Sequence, residues 1–404
     1  MAEEIRPLHE SELDQQFNMN AQAFQIPAER VMQVRNRPTA ALSRGLFVDG
    51  DLRVSLVLFP MQVWFGGRLV PTGGLSGVAT PPQWRRQGYI GRLLHATVDE
   101  MRERDESIST LYPFDFPFYK HYGWAHASDN HVYTIPTTRL PVVAPSGTWH
   151  PLQVGSDVYP LPDPTRLSEA DLNVLMGIYD AWAPRYNGML ARDAVWWRGR
   201  KLDPRDNLFY WRDPAGKPRA YVRYTFKETG PWQRRLEAQV VALDPAAWQA
   251  VLGFLRNHDS QAQEVTLNLP EDSRLLALLD DPRFKIEIDP GFMLRINDVA
   301  AALQARGYAP EAAGEIIVQV AEGWVQLTPT TYRMDVSDGR ATVTAVTAEP
   351  QLSLDARALA QLYSGYLTPR QAADLGLLTV HDPAALGRAQ AMFAGPTAYL
   401  ADFF

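Results

Sequence analysis

SGVATPPQWRRQGYIGRLL, residues 76–94, runs from an apolar strand through a basic turn directly into an amphipathic helix. Val78 and Ala79 close the strand, and Arg85-Arg86-Gln87-Gly88 make the turn. Beyond it Ile90, Leu93, Leu94, Val98 and Met101 recur at i, i+3, i+4, i+8 and i+11, the stripe of a helix packed on a sheet. The first turn of a helix carries unpaired backbone N–H groups at its positive end. Two guanidinium groups placed there oppose the helix dipole, so the pattern predicts an anion held among them. The N–H groups from Gln87 to Gly91 would point at it, and Arg85 and Arg86 would pair with its oxygens. Gly88 would let the backbone approach closely. The plain alternative is a helix that begins with solvated arginines.

The flanking sequence predicts a mixed sheet. GLFVDGDLRVSLVLF reads as a hairpin turning at Asp49-Gly50-Asp51, and VWFGGRLV as another turning near Gly66-Gly67. Ser109–Tyr112 reads as a short strand after the helix, and residues 5–36 carry helical spacing broken at Pro27. Antiparallel strands followed by strand, helix and strand predict α+β architecture. Prolines from Pro136 to Pro164 punctuate the chain. Residues 168–203 then look helical, with Trp182, Trp196 and Trp197 as core or pocket candidates. A hairpin turning at Pro214-Ala215-Gly216 and a strand ending at Leu243 lead into a helix after Asp244-Pro245. That junction echoes the first but lacks its arginines and glycine, which predicts a duplicated domain without the anion loop; the plain alternative is that any α/β domain offers such junctions. From Gly291 a third segment follows: strand and short helix, a strand from Gly314, a hairpin at Ser337-Asp338-Gly339, and a helix starting near Ser353 or Asp355. The chain ends PTAYLADFF, apolar enough through Phe403-Phe404 to predict docking.

Composition narrows the function. The 404 residues suit two or three domains, and a net charge of −7 argues against nucleic-acid binding while mildly favouring a cationic partner. With no cysteine there are no disulfides, thiolate metal sites or cysteine nucleophiles. His121, His126 and His131 lack metal spacing, so no metal is expected. GGLSGV fails as a nucleophile elbow because Val78 stands where glycine is needed. The acidic N-terminus has no signal-peptide core and no stretch could span a bilayer, so a cytoplasmic protein with no membrane partner is expected.

The strand, basic turn and helix resemble the acetyl-CoA pyrophosphate loop of the GNAT N-acetyltransferases. In such a sheet YPFDFPFYKHYGW, residues 112–124, follows the strand that splays from its neighbour to admit the thioester. Acetyl transfer needs a deprotonated amine, a polarised carbonyl and a proton for the leaving thiolate. A tyrosine hydroxyl, of reference pKa about 10, can donate to a thiolate near 8.5 when shielded from water. Tyr119 and Tyr122 are the candidates; the alternative is that both rings only pack a core.

Over its whole length the chain resembles the Eis (enhanced intracellular survival) acetyltransferases. That resemblance implies tandem GNAT (acyl-CoA N-acyltransferase) domains followed by a sterol-carrier-protein-like domain. The expected bounds are residues 1–140 for the cofactor-binding GNAT domain, 141–290 for a GNAT-like domain without the loop, and 291–404 for the carrier-like domain. Tyr119-Lys120-His121-Tyr122-Gly123-Trp124 matches the family's tyrosine segment and implies Tyr119 as general acid. Arg85-Arg86-Gln87-Gly88, continuing through Tyr89, Ile90 and Gly91, matches its pyrophosphate turn. The backbone of Val78, Ala79 and Thr80 would take acetyl-CoA like an added strand, and the carboxylate of Phe404 would reach the active site with Phe403 anchoring the tail; the plain alternative is a buried apolar tail that staples the third domain to the first. Phe114 stands where the family often has a small polar residue, and Gly88-Tyr89-Ile90-Gly91 departs from the general GNAT G-x-G.

A terminal carboxylate, reference pKa about 3.3–3.7, is a weak base toward an ammonium near 10.4, so its expected role is to hold the amine and pass its proton through water. The expected acceptor is a primary amine, on an aminoglycoside-like small molecule or a lysine side chain. Asp115, Glu29 and Asp402 are candidates for acidic walls. The resemblance also implies a homo-oligomer. The rival reading is a non-catalytic acyl-CoA or lipid-binding protein; a tandem-GNAT aminoacyl transferase of the peptidoglycan type would leave the third domain unexplained.

Overall fold

The computed structural model describes residues 2–25, 40–144, 146–152, 167–202, 206–322 and 328–404. The chain divides into two units, Met1–Ala127 with Phe292–Pro396 and Phe403–Phe404, and Ser128–Gly291 with Thr397–Asp402.

The first unit contains a seven-stranded sheet in the order Glu3–Pro7, Ser43–Val48, Asp51–Phe65, Arg68–Ala79, Ile108–Leu111, Met293–Ile296, Ala125–His126. Its hairpins close where the sequence predicts, because Asp49-Gly50 and Gly66-Gly67 adopt the left-handed conformation that such two-residue turns need. Arg68–Ala79 and Ile108–Leu111 run parallel, joined by the helix Tyr89–Glu103. Leu93, Leu94, Val98 and Met101 of that helix are buried against Leu56, Leu58, Leu75 and Leu111. Each such side chain contributes roughly 1.5–3 kcal/mol on burial.

Two expectations fail here. Helical spacing from residue 5 gives way to the edge strand Glu3–Pro7, which pairs with Ser43–Val48; the helix covers only Leu13–Phe24. Ladder pairing outweighs a local periodicity. Pro27 and the rest of that stretch to residue 36 lie outside the described residues. Met293–Ile296, expected to open the third segment, instead pairs antiparallel with both Ile108–Leu111 and Ala125–His126, and all four of its residues are buried.

The same unit carries a five-stranded sheet in the order Arg340–Ala345, Thr330–Ser337, Gly314–Ala321, Leu352–Asp355, Leu378–Val380. Asp355 is the N-cap of the helix Ala356–Ser364, accepting from the Ala358 N–H at 2.7 Å.

The second unit has its own seven-stranded sheet, ordered Lys285–Pro290, Asp129–Pro136, Glu264–Leu269, Gln233–Ala242, Pro218–Gly230, Asn207–Arg212, Thr148–Pro151. Gln233–Ala242 and Glu264–Leu269 form the one parallel pair among these described strands, bridged by the helix Pro245–Arg256, so this sheet repeats the plan of the first. The stretch expected to be helical from 168 to 203 is broken. Glu169–Trp182 ends in a tight turn at Ala183–Arg185 around Pro184, and helix resumes at Ala194. Trp182 and Trp197 are buried, as core residues would be. The proline-rich expectation between residues 153 and 166 falls outside the described residues.

Candidate active site

The strand Arg68–Ala79 shapes one wall. Ser55 faces Ala79 and Val57 faces Ser76, so Gly77 and Val78 together oppose Leu56, a bulge with Gly77 at φ +57°. Such an extra residue turns backbone groups out of the ladder. On the other side, pairing with Ile108–Leu111 runs from Thr72 to Leu75 and then stops, so the last residues of the strand border an open slot.

Beyond the slot, Gly88 is the N-cap of the crossover helix at φ +77°, and no side chain caps that end. Its first-turn N–H groups therefore remain available to a ligand. Arg86 is itself left-handed at φ +61° and projects into solvent, while Arg85 Nε donates to the Thr80 carbonyl at 3.1 Å and ties the turn to the strand. Arg53 stacks 3.7 Å from the Trp84 ring, fixing the start of the turn. Thr80 Oγ1 is buried and has no partner among the described residues.

A cavity of about 530 Å³ joins these features, lined by Val78, Ala79, Thr80 and every residue from 85 to 91. Ala23, Phe24, Trp84, Phe114, Phe118 and Tyr122 complete it, and none of these six was assigned to the anion loop from sequence. Only their apolar character next to the loop could have signalled them. Unfilled N–H groups, two arginines, an orphaned hydroxyl and a bulged strand end suit a long ligand with an anionic middle and an amide-bearing arm. The diphosphate and pantetheine of acetyl-CoA have that chemistry.

Tyr119 lies on the helix Phe116–His121, which starts with Pro117 in its first turn and Asp115 as N-cap, accepting from the Phe118 N–H at 2.8 Å. Asp115 is thus spent on capping rather than on an acidic wall. Tyr119 is buried against Phe114, Phe118 and Trp124, and desolvation pushes its hydroxyl well above the usual tyrosine range. It packs on two residues of the cavity lining, Phe114 and Phe118, whereas Tyr122 lines the cavity itself. The Tyr122 ring covers Gly91 so closely that a Cβ there would lie 3.2 Å from it.

The C-terminus ends on the same strand. Ser76 Oγ donates to the Phe404 terminal oxygen at 2.9 Å, two residues before Val78. The Phe404 ring meets Phe59 and Tyr112 edge-on, with centroids at 6.3 and 6.5 Å, and passes where a Cβ on Gly74 would approach it to 3.1 Å. Phe404 anchors itself. Phe403, expected as the anchor, is 77 % exposed and touches the Tyr112 ring.

Asp402 is likewise no acidic wall. Within the second unit it is fully buried, accepting from Arg192 Nη2 at 3.0 Å, Trp196 Nε1 at 3.2 Å and Lys201 Nζ at 3.2 Å. Glu29 lies outside the described residues. Among the described residues no group of three His, Asp or Glu side chains could hold a metal, and no helix is long and apolar enough to cross a membrane.

The corresponding helix start in the second unit is already filled. Asp244 Oδ1 accepts from the Ala247 N–H at 2.8 Å, and Asp244 also pairs with Arg219 at 2.7 Å. Backbone and guanidinium donors hold this carboxylate below its usual range. An internal anion thus occupies in one copy the place left open in the other.

Splayed strand, bulge, glycine-basic turn and uncapped helix define the GNAT class of acetyltransferase. Models of the acetyltransferase (GNAT) domain match residues 4–127 and 188–296, and the sterol carrier protein domain matches residues 299–401. The chain is an N-acetyltransferase with two GNAT domains and a C-terminal sterol carrier domain. It is 27 % identical to an uncharacterized N-acetyltransferase of Streptomyces griseus over 88 % of this chain and 87 % of that one. It is also 27 % identical to N-acetyltransferase Eis of Mycobacterium tuberculosis, over 87 % of this chain and 83 % of that one. A GCN5-related N-acetyltransferase from Anabaena variabilis superposes over the full length of both chains at TM-score 0.87 and 27 % identity. Eis1 from Mycobacterium abscessus shares the fold over both full chains at TM-score 0.80 and 24 % identity.

Proposed function

We propose that the protein transfers the acetyl group of acetyl-CoA directly to a primary amine, on an aminoglycoside-like small molecule or a lysine side chain. One observation carries the reading. The uncapped helix end with Arg85 and Arg86 opens onto the same cavity as the bulged strand end at residues 78–80. Acetyl-CoA supplies the activated acyl group as a thioester. Residues 85–91 hold its diphosphate by backbone N–H groups and guanidinium pairs, a contribution of roughly 0.3–2 kcal/mol from the helix dipole. The freed backbone groups at residues 78–80 take the pantetheine arm like an additional strand and direct an N–H at the thioester carbonyl.

As the amine nitrogen bonds to the carbonyl carbon and the carbon–sulfur bond breaks, Tyr119 donates its proton toward the departing sulfur and regains one from the acylated nitrogen. Burial keeps that hydroxyl protonated throughout the physiological range. The same dry surroundings disfavour a free thiolate and so strengthen its demand for the proton. The Phe404 carboxylate, held by Ser76, balances the ammonium form of the acceptor and passes its proton to water. Most of the acceleration comes from aligning two substrates, an effect worth up to about 7–11 kcal/mol.

The chain has no cysteine, so a thiol reagent reads released CoA alone. CoA release across a panel of amines, with the wild type against Tyr119→Phe, tests the reading. Amine-dependent release that falls about 100-fold or more in the variant supports it. No release with any amine, with thermal stabilisation by a fatty acid but not by acetyl-CoA, would favour the non-catalytic lipid-binding alternative.

A further inference from the structure

Arg295 is among the largest fully buried side chains of the first unit, yet its strand neighbours Met293, Leu294 and Ile296 are apolar. An apolar side chain would fill such a site at no electrostatic cost, because a buried ion pair often fails to recover its desolvation penalty. The partners of Arg295 show what the guanidinium does instead. Nε donates to the Tyr122 carbonyl at 3.2 Å, at the end of the helix that carries Tyr119. Nη2 donates to Glu322 at 2.6 Å, and Nη1 to Asn297 Oδ1 at 3.0 Å and the Ile296 carbonyl at 3.1 Å. The Arg295 guanidinium also lies 5.7 Å from the Trp124 ring centroid.

The turn it grips admits little else. Gly123 sits at φ +90°, and a Cβ there would come within 3.2 Å of Arg295 Nε. The Tyr119 carbonyl accepts from both the Tyr122 and Trp124 N–H groups, so the backbone that Arg295 fixes leads straight back to the tyrosine. Glu322, at the end of the strand Gly314–Ala321, has a second partner, Arg102 Nη2 at 3.2 Å. Arg102 stands in the last turn of the helix whose first turn faces the cavity.

We propose that Arg295, with Glu322 as its counter-ion, is a positioning residue that sets the Tyr119 hydroxyl against the acyl donor. Through Glu322, the sterol-carrier-like domain braces the tyrosine segment and the cofactor helix together. At Glu322 the domain thereby acts in catalysis through a residue that does not touch substrate. The proposal rests on Tyr119 acting as general acid.

The full-length enzyme and its variants are assayed for CoA release, affinity for acetyl-CoA by calorimetry, and melting. Arg295→Met keeps the volume, and Glu322 retains Arg102 as partner. Turnover falls at least tenfold, affinity for acetyl-CoA stays within threefold, and the double variant with Tyr119→Phe is no slower than Tyr119→Phe alone within twofold. Arg295→Lys, able to serve Tyr122 or Glu322 but not both, recovers part of the loss and repeats the comparison if the methionine variant does not fold. Losses that multiply in the double variant, or an Arg295→Met enzyme at wild-type turnover, overturn the positioning role while leaving the general acid in place. Wild-type turnover in Tyr119→Phe overturns the general-acid reading itself, and this proposal with it.

Discussion

Asp402→Asn probes how the C-terminal segment is held in the second unit. The carboxylate has no solvent exposure, and its partners Arg192 and Lys201 are 2 % and 8 % exposed in their side chains. Arg192 and Lys201 hold the Asp402 carboxyl at about 2, against a usual 3.8. That difference corresponds to about 2 kcal/mol of stability, present above pH 4 and lost as pH falls from about 4 toward 2. Substitution goes further, because it leaves two buried cations unbalanced, a loss of about 3–5 kcal/mol. For a domain of this size that is a fall in melting temperature of roughly 6–20 °C.

The chain has two ways to limit this loss. Lys201, already lowered to about 7 by desolvation against the pull of Asp402, drops further and sheds its proton. An amine with a folded pKa below its unfolded one gives stability that rises with pH, since the unfolded chain binds more protons. The variant's deficit should therefore shrink between about pH 5 and 7. Alternatively residues 397–402 undock, giving up the burial of Tyr399 and Leu400 and the Tyr399 Oη bond to the Asn268 carbonyl at 2.9 Å. Urea unfolding at pH 5 and 7, with carboxypeptidase release of the C-terminal residues, separates the two. A variant with the wild-type urea midpoint and the wild-type release rate would show that the buried pair does not hold the tail.

Gly88→Ala forces a side chain into left-handed backbone at the helix cap; stability should drop by about 1 kcal/mol and KM for acetyl-CoA rise about tenfold with kcat nearly kept, read by CoA release. Because burial moves the Tyr119 hydroxyl upward, kcat/KM should climb as the acceptor amine deprotonates and show no falling limb below pH 10; a decline with an apparent pKa of 8–9 would contradict that role. One residue added after Phe404 moves the carboxylate from Ser76; melting should hold within about 2 °C while turnover falls tenfold or more, and unchanged turnover would remove the terminus from catalysis.

Much of this enzyme is legible in residues 76–94. Strand, basic turn, glycine and helix stripe are local in sequence, and a helix end is an anion site because of its own backbone, so the anion-binding end of the cavity follows from short-range physics, while its aromatic wall at Phe24, Phe114, Phe118 and Tyr122 does not. The two-residue hairpins are readable for the same reason: the left-handed preference of Asp49-Gly50 and Gly66-Gly67 acts within a few bonds. The second copy's missing arginines are visible in the sequence, but only the structure shows Asp244 filling its helix end.

What tertiary structure alone decided lies at long separation in sequence. Nothing in MLRI announces that residues 293–296 enter the first sheet between strands at 108–111 and 125–126, for ladder partners are chosen by the whole sheet. Asp402, read as an acidic wall, became a buried ion-pair centre, and Phe404 displaced Phe403 as the anchor, because a side chain's surroundings are set by neighbours far along the chain. The sequence names the residues with chemistry to offer; packing determines which of them meet a ligand, a counter-ion or only one another.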